Sequence, residues 1–284
     1  MGSQFAKICQ QHGIHIKATA RSSAQISLLQ SQGMDARSEQ AMLDSDSWLD
    51  DCTAVLDSIP LSYDPQRQPS QSQSQFIPLL LDKLPTLSWL GYLSATSVYG
   101  DSAGTWINED TPALPSSLRG KQRLLAEQAW LNSAAPAEIF RLSGIYGHER
   151  NILSKLFAGN CHTIHWQPEH FSNRMHVFDI VAALFAAMRQ PQANRIINMV
   201  DDYPCSHQQY VCALAQHIGA PAPIILSPQE AETQLSPAFL DFFRDNKRIS
   251  NQKLHQTLLA QLKYPSFHDA IDDVLAAYHL NLKT

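Results

Sequence analysis

Hydroxyl side chains and a glycine follow two apolar, strand-like segments of this 284-residue chain. The first segment, Leu87–Leu93, leads into the block Ser94–Asp101. The second segment ends within the block Phe140–Gly147. Since ligands of open α/β sheets bind at the carboxyl ends of the strands, the two blocks predict one site. The phenols of Tyr99 and Tyr146 are candidates for general acid/base chemistry. The alternative is that both rings only pack against neighbouring loops.

The segments that lead to these blocks belong to an alternation of strand-like and helical patterns. The predicted strands are Ile14–Thr19, Thr53–Ile59, Leu87–Leu93 and Glu138–Leu142. The predicted helices are Ser3–His12, Ala24–Gln32, Phe76–Leu84 and Pro115–Asn132. This alternation predicts an α/β fold, with a parallel sheet covered by helices on both faces.

The last third of the chain follows a different pattern. The predicted elements there are the helices Asp179–Arg189, His207–Ile218 and Phe267–Tyr278 and the strands Arg195–Met199 and Pro223–Leu226. We therefore expect two domains: an α/β domain over 1–160, and a smaller α+β lobe over 161–284, from which the chain crosses back to the sheet. A cleft beside the sheet edge is the expected pocket.

Composition excludes several classes of function. The formal charge of −5 argues against nucleic-acid binding, which needs basic patches. No apolar run approaches the ~20 residues of a membrane span, and the first residues do not resemble a signal peptide. The five cysteines include no CxxC pair, which favours reduced thiols in the cytoplasm.

Four histidines lie close together in sequence, at 162, 165, 170 and 176. Their spacing matches no helix-based pair of metal ligands, and no carboxylate-rich motif accompanies them. We expect no metal site.

Five motifs in register resemble a known family. They are Ser94–Asp101, Arg141–Gly147, Arg174–Asp179, Asn198–Pro204 and Lys247–Leu254, the last followed by Leu262–Phe267. Together they resemble the extended short-chain dehydrogenase/reductases, which are the NAD-dependent epimerases and dehydratases, and in particular their atypical, YeeZ-like subgroup. The resemblance covers nearly the whole chain.

The resemblance implies a Rossmann-type, doubly wound parallel sheet that holds NAD(P), and a C-terminal lobe for a small-molecule substrate. It implies an oxidoreductase or epimerase-like protein. From the family we also expect a homodimer, formed through the helix Pro115–Asn132. The alternative is a catalytically inactive module that senses a dinucleotide or a metabolite.

The amino end departs from the family pattern. The family opens with a strand and a GxGxxG turn that binds the pyrophosphate, whereas this sequence opens at Met1 with Gly2 in the place of the third glycine. We expect Met1 to be an internal methionine of a longer protein. The alternative is a true N-terminus on a partly degenerate domain.

The proton-transfer residues also depart from the pattern. The resemblance places Arg119 where the family has its tyrosine, Arg123 where it has its lysine, and Ala95 where it has its serine. An arginine cannot act as the acid/base because it stays protonated. Arg123 could still donate to ribose hydroxyls, or both arginines could be solvated cations on one helix face.

The residues after the predicted strand Ile14–Thr19, which takes the place of the family's second strand, indicate which cofactor is preferred. Arg21 and Ser22 stand where NAD-dependent proteins usually have an acidic residue for the ribose 2′-hydroxyl. A guanidinium and a hydroxyl suit a 2′-phosphate, so NADP is favoured over NAD. The alternative is an exposed arginine in a turn.

The complete set of predicted site residues follows from the resemblance and these local arguments. The predicted cofactor contacts are Gly2, Thr19, Arg21, Ser22, Ile59, Pro60, Thr96, Arg123, Ser143, Gly144 and Ile145. The predicted substrate contacts are Tyr99, Arg119, Arg150 and Arg174, of which Arg174 would partly replace a phosphate-binding arginine of the family whose place Ser172 takes. The catalytic candidates are Tyr99, Tyr146, Thr96 and Arg123.

Overall fold

The computed structural model describes residues 1–59 and 76–281. Their helices are, in chain order, α1 (Gly2–Gln11), α2 (Ser23–Ser31), α3 (Glu39–Leu43), α4 (76–81), α5 (Leu118–Leu131), α6 (Leu153–Phe157), α7 (Val177–Arg189), α8 (His207–Ile218), α9 (Pro228–Gln234), α10 (Pro237–Leu240), α11 (Gln252–Thr257) and α12 (Phe267–Asn281). Their strands are β1 (Lys17–Thr19), β2 (Asp35–Arg37), β3 (Ala54–Asp57), β4 (Trp89–Ala95), β5 (Trp106–Ile107), β6 (Ala137–Leu142), β7 (Gly144–Tyr146), β8 (His162–Ile164), β9 (Phe171–Ser172), β10 (Arg174–His176), β11 (Ile196–Met199), β12 (Cys205–Ser206), β13 (Ile224–Leu226) and β14 (Arg248–Ile249).

The described chain divides into two compact units. The first contains the described parts of 1–94, 122–140 and 181–196, and the second those of 95–121, 141–180 and 197–284. These units are defined by compactness and not by function, so the domain boundary expected after residue 160 stays a prediction.

The first unit holds most of a four-stranded sheet with the order β11-β6-β4-β3. Strands β3 and β4 pair in parallel, with Ala54 opposite Trp89. A separate parallel pair, β1 and β2, places Thr19 opposite Arg37. The predicted α/β architecture is confirmed, although β1 is shorter than the predicted Ile14–Thr19 and β2 was not predicted.

The apolar run Leu87–Leu93 predicts β4, which is a central strand of the first unit. Trp89, Leu90 and Tyr92 are each no more than 1% exposed. Leu90 and Tyr92 pack with Ile139 of β6 and Trp130 of α5 in one cluster of buried side chains. The burial of such large apolar surface stabilises the sheet, because each fully buried side chain of this size contributes on the order of 1.5–3 kcal/mol.

Glu138 of β6 and Arg195 form an ion pair that is buried in the first unit. The Arg195 Nη2 atom lies 2.7 Å from Glu138 Oε2, and the side chains are 3% and 0% exposed. Glu138 Oε1 also accepts hydrogen bonds from Trp89 Nε1 at 3.1 Å and from the Gln192 amide at 2.8 Å. The buried carboxylate therefore has partners at both oxygens.

The second unit combines helices with short strand pairs. These pairs are β7 with β10, β8 with β13 and β5 with β14, which are parallel, and β9 with β12, which is antiparallel. Side chains of α8 and α12 form its main apolar cluster, together with Tyr146, Leu156 and Cys205. Helix α8 begins at a capping box of Ser206 and Gln209 and ends at Gly219, which has a left-handed φ of 67°.

Among the described residues, no helix combines the length and the apolar character of a membrane span.

Candidate functional site

The residues predicted to select the cofactor lie at the end of β1. The Ser22 hydroxyl caps α2 by accepting a hydrogen bond from the Gln25 amide at 3.2 Å, and Arg21 is exposed. A hydroxyl that accepts from an amide can still donate its own hydrogen. Both side chains can therefore contact a phosphate at this edge, while their role stays a prediction.

The start of α1 lies beside the end of β3 in the first unit. A Cβ atom added to Gly2 would lie 3.2 Å from Ser58 Oγ, so the backbone approaches closely at this point. Ile59 follows and is 38% exposed. The structure thus brings two of the predicted cofactor residues to one region. Pro60, the third residue predicted there, lies outside the described residues.

Asp57 is a polar residue of this edge that the sequence analysis missed. Its carboxylate accepts hydrogen bonds from the Ile59 amide at 3.1 Å and from Trp130 Nε1 at 3.0 Å. Burial raises the pKa of the Asp57 carboxyl, while those hydrogen bonds and the charge of Arg123 oppose the rise. No local pattern marks this residue, because its side-chain partner Trp130 and the nearby charge of Arg123 are supplied by α5.

Arg123 reaches back to β4 from α5. Its Nη1 atom donates to the Tyr92 hydroxyl at 3.1 Å and to the Leu93 carbonyl at 3.0 Å, and its guanidinium carbon lies 5.8 Å from the centre of the Tyr92 ring. One turn further along α5, Glu127 accepts a short hydrogen bond from the Ser94 hydroxyl. Arg123 is therefore not a fully solvated cation, and its predicted contact with a cofactor would have to use its remaining N–H groups.

In the second unit, Thr96–Val98 forms a short 3-10 turn directly after β4. Helix α5 approaches this turn so closely that a Cβ atom on Gly120 would lie 2.4 Å from the Ser97 carbonyl oxygen. Arg119, which precedes that glycine, is exposed. Glycine is thus required next to Arg119, the arginine predicted to take the place of the family's tyrosine.

The two hydroxyl-bearing blocks contact each other through Tyr99 and Arg141. The guanidinium carbon of Arg141 lies 4.6 Å from the centre of the Tyr99 ring, and both residues are buried. The Tyr99 hydroxyl donates to Asn198 Oδ1 at 2.7 Å. Burial raises the pKa of Tyr99, so the phenol stays protonated at neutral pH.

The second block uses its small residues for close packing. The Ser143 hydroxyl donates to the Met199 carbonyl at 2.9 Å. A Cβ atom on Gly144 would lie 3.1 Å from the Asn173 carbonyl oxygen, and Ile145 pairs with Met175 of β10. Ser143 and Gly144 thus have structural partners here, and their contact with a cofactor stays a prediction.

Tyr146, the other candidate phenol, is 7% exposed. Its hydroxyl has no hydrogen-bond partner within the described part of the chain. The His176 ring lies edge-on at 5.1 Å. Burial raises the pKa of Tyr146 and lowers the pKa of His176 to about 4, so both groups are neutral at pH 7.

The predicted substrate arginines of the second unit differ in their surroundings. Arg174 is 5% exposed, donates to Cys205 Sγ at 2.8 Å, and places its guanidinium carbon 4.3 Å from the centre of the Tyr210 ring. Arg150 is exposed in the turn that follows Gly147. Arg150 can meet an anion from solvent, whereas Arg174 is enclosed by its own unit.

The Lys247–Leu254 motif ties several loops of the second unit together. Lys247 Nζ donates to the Gly100 carbonyl at 3.0 Å, Arg248 Nε to the Gly104 carbonyl at 2.8 Å, and Asn251 Nδ2 to the Val200 carbonyl at 3.2 Å. This motif holds the loop that follows Tyr99.

Among the residues that the structure describes, no group of three histidine, cysteine or acidic side chains could hold a metal ion.

Comparison with known proteins agrees with this architecture. No family model matches the chain. It is 33% identical over 111 residues to Protein YeeZ of Escherichia coli strain K12, a segment that covers 38% of each protein. The chain thus matches well under two thirds of the length of that relative.

Solved structures match nearly the whole chain. A functionally unknown conserved protein from Silicibacter pomeroyi DSS is 30% identical, with a TM-score of 0.85 over 96% of this chain and 94% of that one. The human epimerase family protein SDR39U1 (isoform 2) with NADPH has 14% identity and a TM-score of 0.78 over 97% and 95% of the two chains. UDP-glucuronic acid 4-epimerase from Bacillus cereus with NAD has 16% identity and a TM-score of 0.74 over 99% and 94%.

The chain belongs to the family of the conserved S. pomeroyi protein, whose fold is that of the NAD-dependent epimerases and short-chain dehydrogenase/reductases. The predicted resemblance and the predicted Rossmann-type fold are confirmed.

Proposed function

We propose that the protein binds NADP(H) and acts as an oxidoreductase or epimerase-like enzyme with atypical catalytic residues. The observation that carries the cofactor choice is the end of β1, where an exposed Arg21 and the hydroxyl of Ser22 stand in the place of an acidic residue. A guanidinium fork forms charge-assisted hydrogen bonds with a phosphate. Structural neighbours with bound NADPH and bound NAD support a nicotinamide dinucleotide as the ligand.

The proton-transfer step requires a residue other than those of the usual family set. Ala95, Arg119 and Arg123 occupy the serine, tyrosine and lysine places, and Arg123 is bonded to β4. Thr96 supplies a hydroxyl directly after the serine place, and Tyr99 and Tyr146 supply the phenols. The substrate would be a small molecule, and the exposed Arg119 and Arg150 favour an anionic one.

The second candidate function is a dinucleotide-sensing module without turnover. It is favoured by the burial of both phenols, because burial raises the pKa of Tyr99 and of Tyr146. A buried phenol that stays protonated can donate a hydrogen bond, but it is a poor base at neutral pH.

We further propose a cytoplasmic location, and a homodimer formed through α5 as in the family.

Cofactor binding is tested by titrating the protein with NADPH and with NADH. We expect tighter binding of NADPH, and we expect Arg21→Gln to weaken NADPH about tenfold or more while it leaves NADH nearly unchanged. Arg244→Gln is the matched control, since Arg244 is exposed in the second unit and pairs with the nearby Asp241. Absence of binding by either dinucleotide would refute the proposal.

Turnover is tested with a panel of small anionic alcohols, ketones and nucleotide sugars in the presence of NADP+ or NADPH. Product formation that Tyr99→Phe or Tyr146→Phe abolishes, with cofactor binding retained, would identify the acid/base and support the enzyme. Binding without turnover on any compound would support the sensing module.

A further inference from the structure

Arg37 lies at the end of β2, directly beside the end of β1 that leads to Arg21. Thr19 is opposite Arg37 in the parallel register, and the amide of Ala20 donates to the Arg37 carbonyl at 3.0 Å. Arg21 is the next residue along the chain. Two arginines therefore stand at the same carboxyl edge of this strand pair, although they are 16 positions apart in sequence.

The guanidinium of Arg37 is held in position by Trp48. Its central carbon lies 4.8 Å from the centre of the Trp48 ring, a cation–π contact. Trp48 is itself buried, and its indole N–H donates to Asp35 Oδ2. A stacked guanidinium has fewer orientations to lose when it binds an anion, which favours binding.

The same guanidinium remains available to a ligand. Its Nε atom is 3.6 Å from Asp35 Oδ1, which is longer than a hydrogen bond, and the Arg37 side chain is 40% exposed. Within the described chain, neither terminal nitrogen of Arg37 has a hydrogen-bond partner. Asp35 offsets part of the positive charge, but it does not occupy the donors that form a bidentate contact.

We propose that Arg37 is a second specificity-determining cation that binds the 2′-phosphate of NADP(H) together with Arg21. This inference rests on the proposed binding of a dinucleotide. The 2′-phosphate is a dianion near neutral pH, and two guanidinium groups match its charge and its several acceptor oxygens. The 2′-hydroxyl of NAD has no such charge, so it gains little from a second arginine.

A purely structural role for Arg37 predicts a different pattern. If the side chain only packed on Trp48, its loss would loosen β2 and weaken both dinucleotides to the same extent. The ratio of the two affinities therefore separates a phosphate contact from packing, because both cofactors share everything except the 2′-phosphate.

The test is to titrate Arg37→Gln and Arg37→Lys with NADPH and NADH, beside the wild-type protein and the Arg244→Gln control. We expect Arg37→Gln to weaken NADPH about tenfold and NADH less than about twofold, and Arg37→Lys to have a smaller effect of the same kind, because lysine keeps the charge but loses the fork. If Arg37→Gln does not fold, the affinity ratio of Arg37→Lys decides.

The outcomes distinguish the role of Arg37 from the proposed binding of NADP(H), on which it rests. An unchanged NADPH affinity in a folded variant, or an equal loss for both cofactors, overturns the role of Arg37 and leaves NADP(H) binding intact. A wild-type protein that binds neither dinucleotide, or that prefers NADH, overturns the proposed cofactor and the role of Arg37 with it.

Discussion

Removal of the Glu138 carboxylate is expected to destabilise the protein strongly. The substitution Glu138→Ala leaves the guanidinium of Arg195 without its 2.7 Å partner in a place where that side chain is only 3% exposed. It also leaves the Trp89 indole N–H and the Gln192 amide without the oxygen that accepts from them. Loss of one member of a buried ion pair costs about 3–5 kcal/mol, and we expect a loss in this range.

The assay is urea unfolding at about pH 7, followed by circular dichroism and by tryptophan fluorescence, with the free energy of unfolding taken from linear extrapolation. Two controls test whether the unpaired buried charge causes the loss. The double variant Glu138→Met with Arg195→Met removes both charges and should recover most of the loss, because apolar replacements of buried pairs are often close to neutral. Asp272→Ala removes the carboxylate of an exposed pair with His217 and should change the stability little.

Two results would refute this reasoning. One is a free energy of unfolding for Glu138→Ala that lies within about 1 kcal/mol of the wild-type value, since a buried unpaired guanidinium should cost more than that. The other is a double variant as unstable as the single one, which would mean that the loss comes from the Trp89 and Gln192 donors left without an acceptor and not from the unpaired guanidinium.

Three further outcomes follow from single side chains. Gly100→Ala should lower the free energy of unfolding by about 2 kcal/mol or more in urea, because at a φ of +74° the new Cβ atom would lie 2.0 Å from the Leu114 carbonyl oxygen; a loss below about 1 kcal/mol would contradict this. Tyr146→Phe should leave the melting temperature unchanged or raise it, because the buried hydroxyl has no partner among the described residues, whereas a clear fall would indicate a partner such as a bound water. His255→Gln should lower the free energy of unfolding, measured in urea titrations, more at about pH 5.5 than at about pH 8.5. Equal losses at the two pH values would contradict a raised pKa of His255 in the folded protein. Burial opposes the charge of His255, but the Asp202 carboxylate 2.7 Å from Nε2 raises its pKa overall, so its contribution is present below the unfolded pKa of about 6.5 and is lost as pH rises through the folded pKa.

Some elements could be predicted closely because local interactions specify them. Helix α8 was predicted as His207–Ile218 and has those bounds, since Ser206 and Gln209 cap its start and Gly219 ends it. In contrast, β2 was missed. It is three residues long, and it forms because it pairs with β1, which lies almost 20 residues earlier in the chain.

The candidate site divides in the same way. The types of residue at the strand ends could be read from the sequence, including Arg21 at the end of β1 and Ala95 in the serine place. The partners of those residues could not, because a hydrogen bond or the burial of a phenol depends on elements that are distant in the chain. The contact between Tyr99 and Asn198 spans 99 positions.

The sequence by itself determined the alternation of strands and helices and the family resemblance, and it predicts which residues replace the usual serine, tyrosine and lysine. Only the tertiary structure decided that Arg123 bonds to Tyr92, that the Tyr146 hydroxyl is enclosed without a hydrogen-bond partner among the described residues, and that Arg37 stands beside the end of β1. The physical reason is that periodicity and capping act between near neighbours in the chain, whereas desolvation and hydrogen bonding act between neighbours in space.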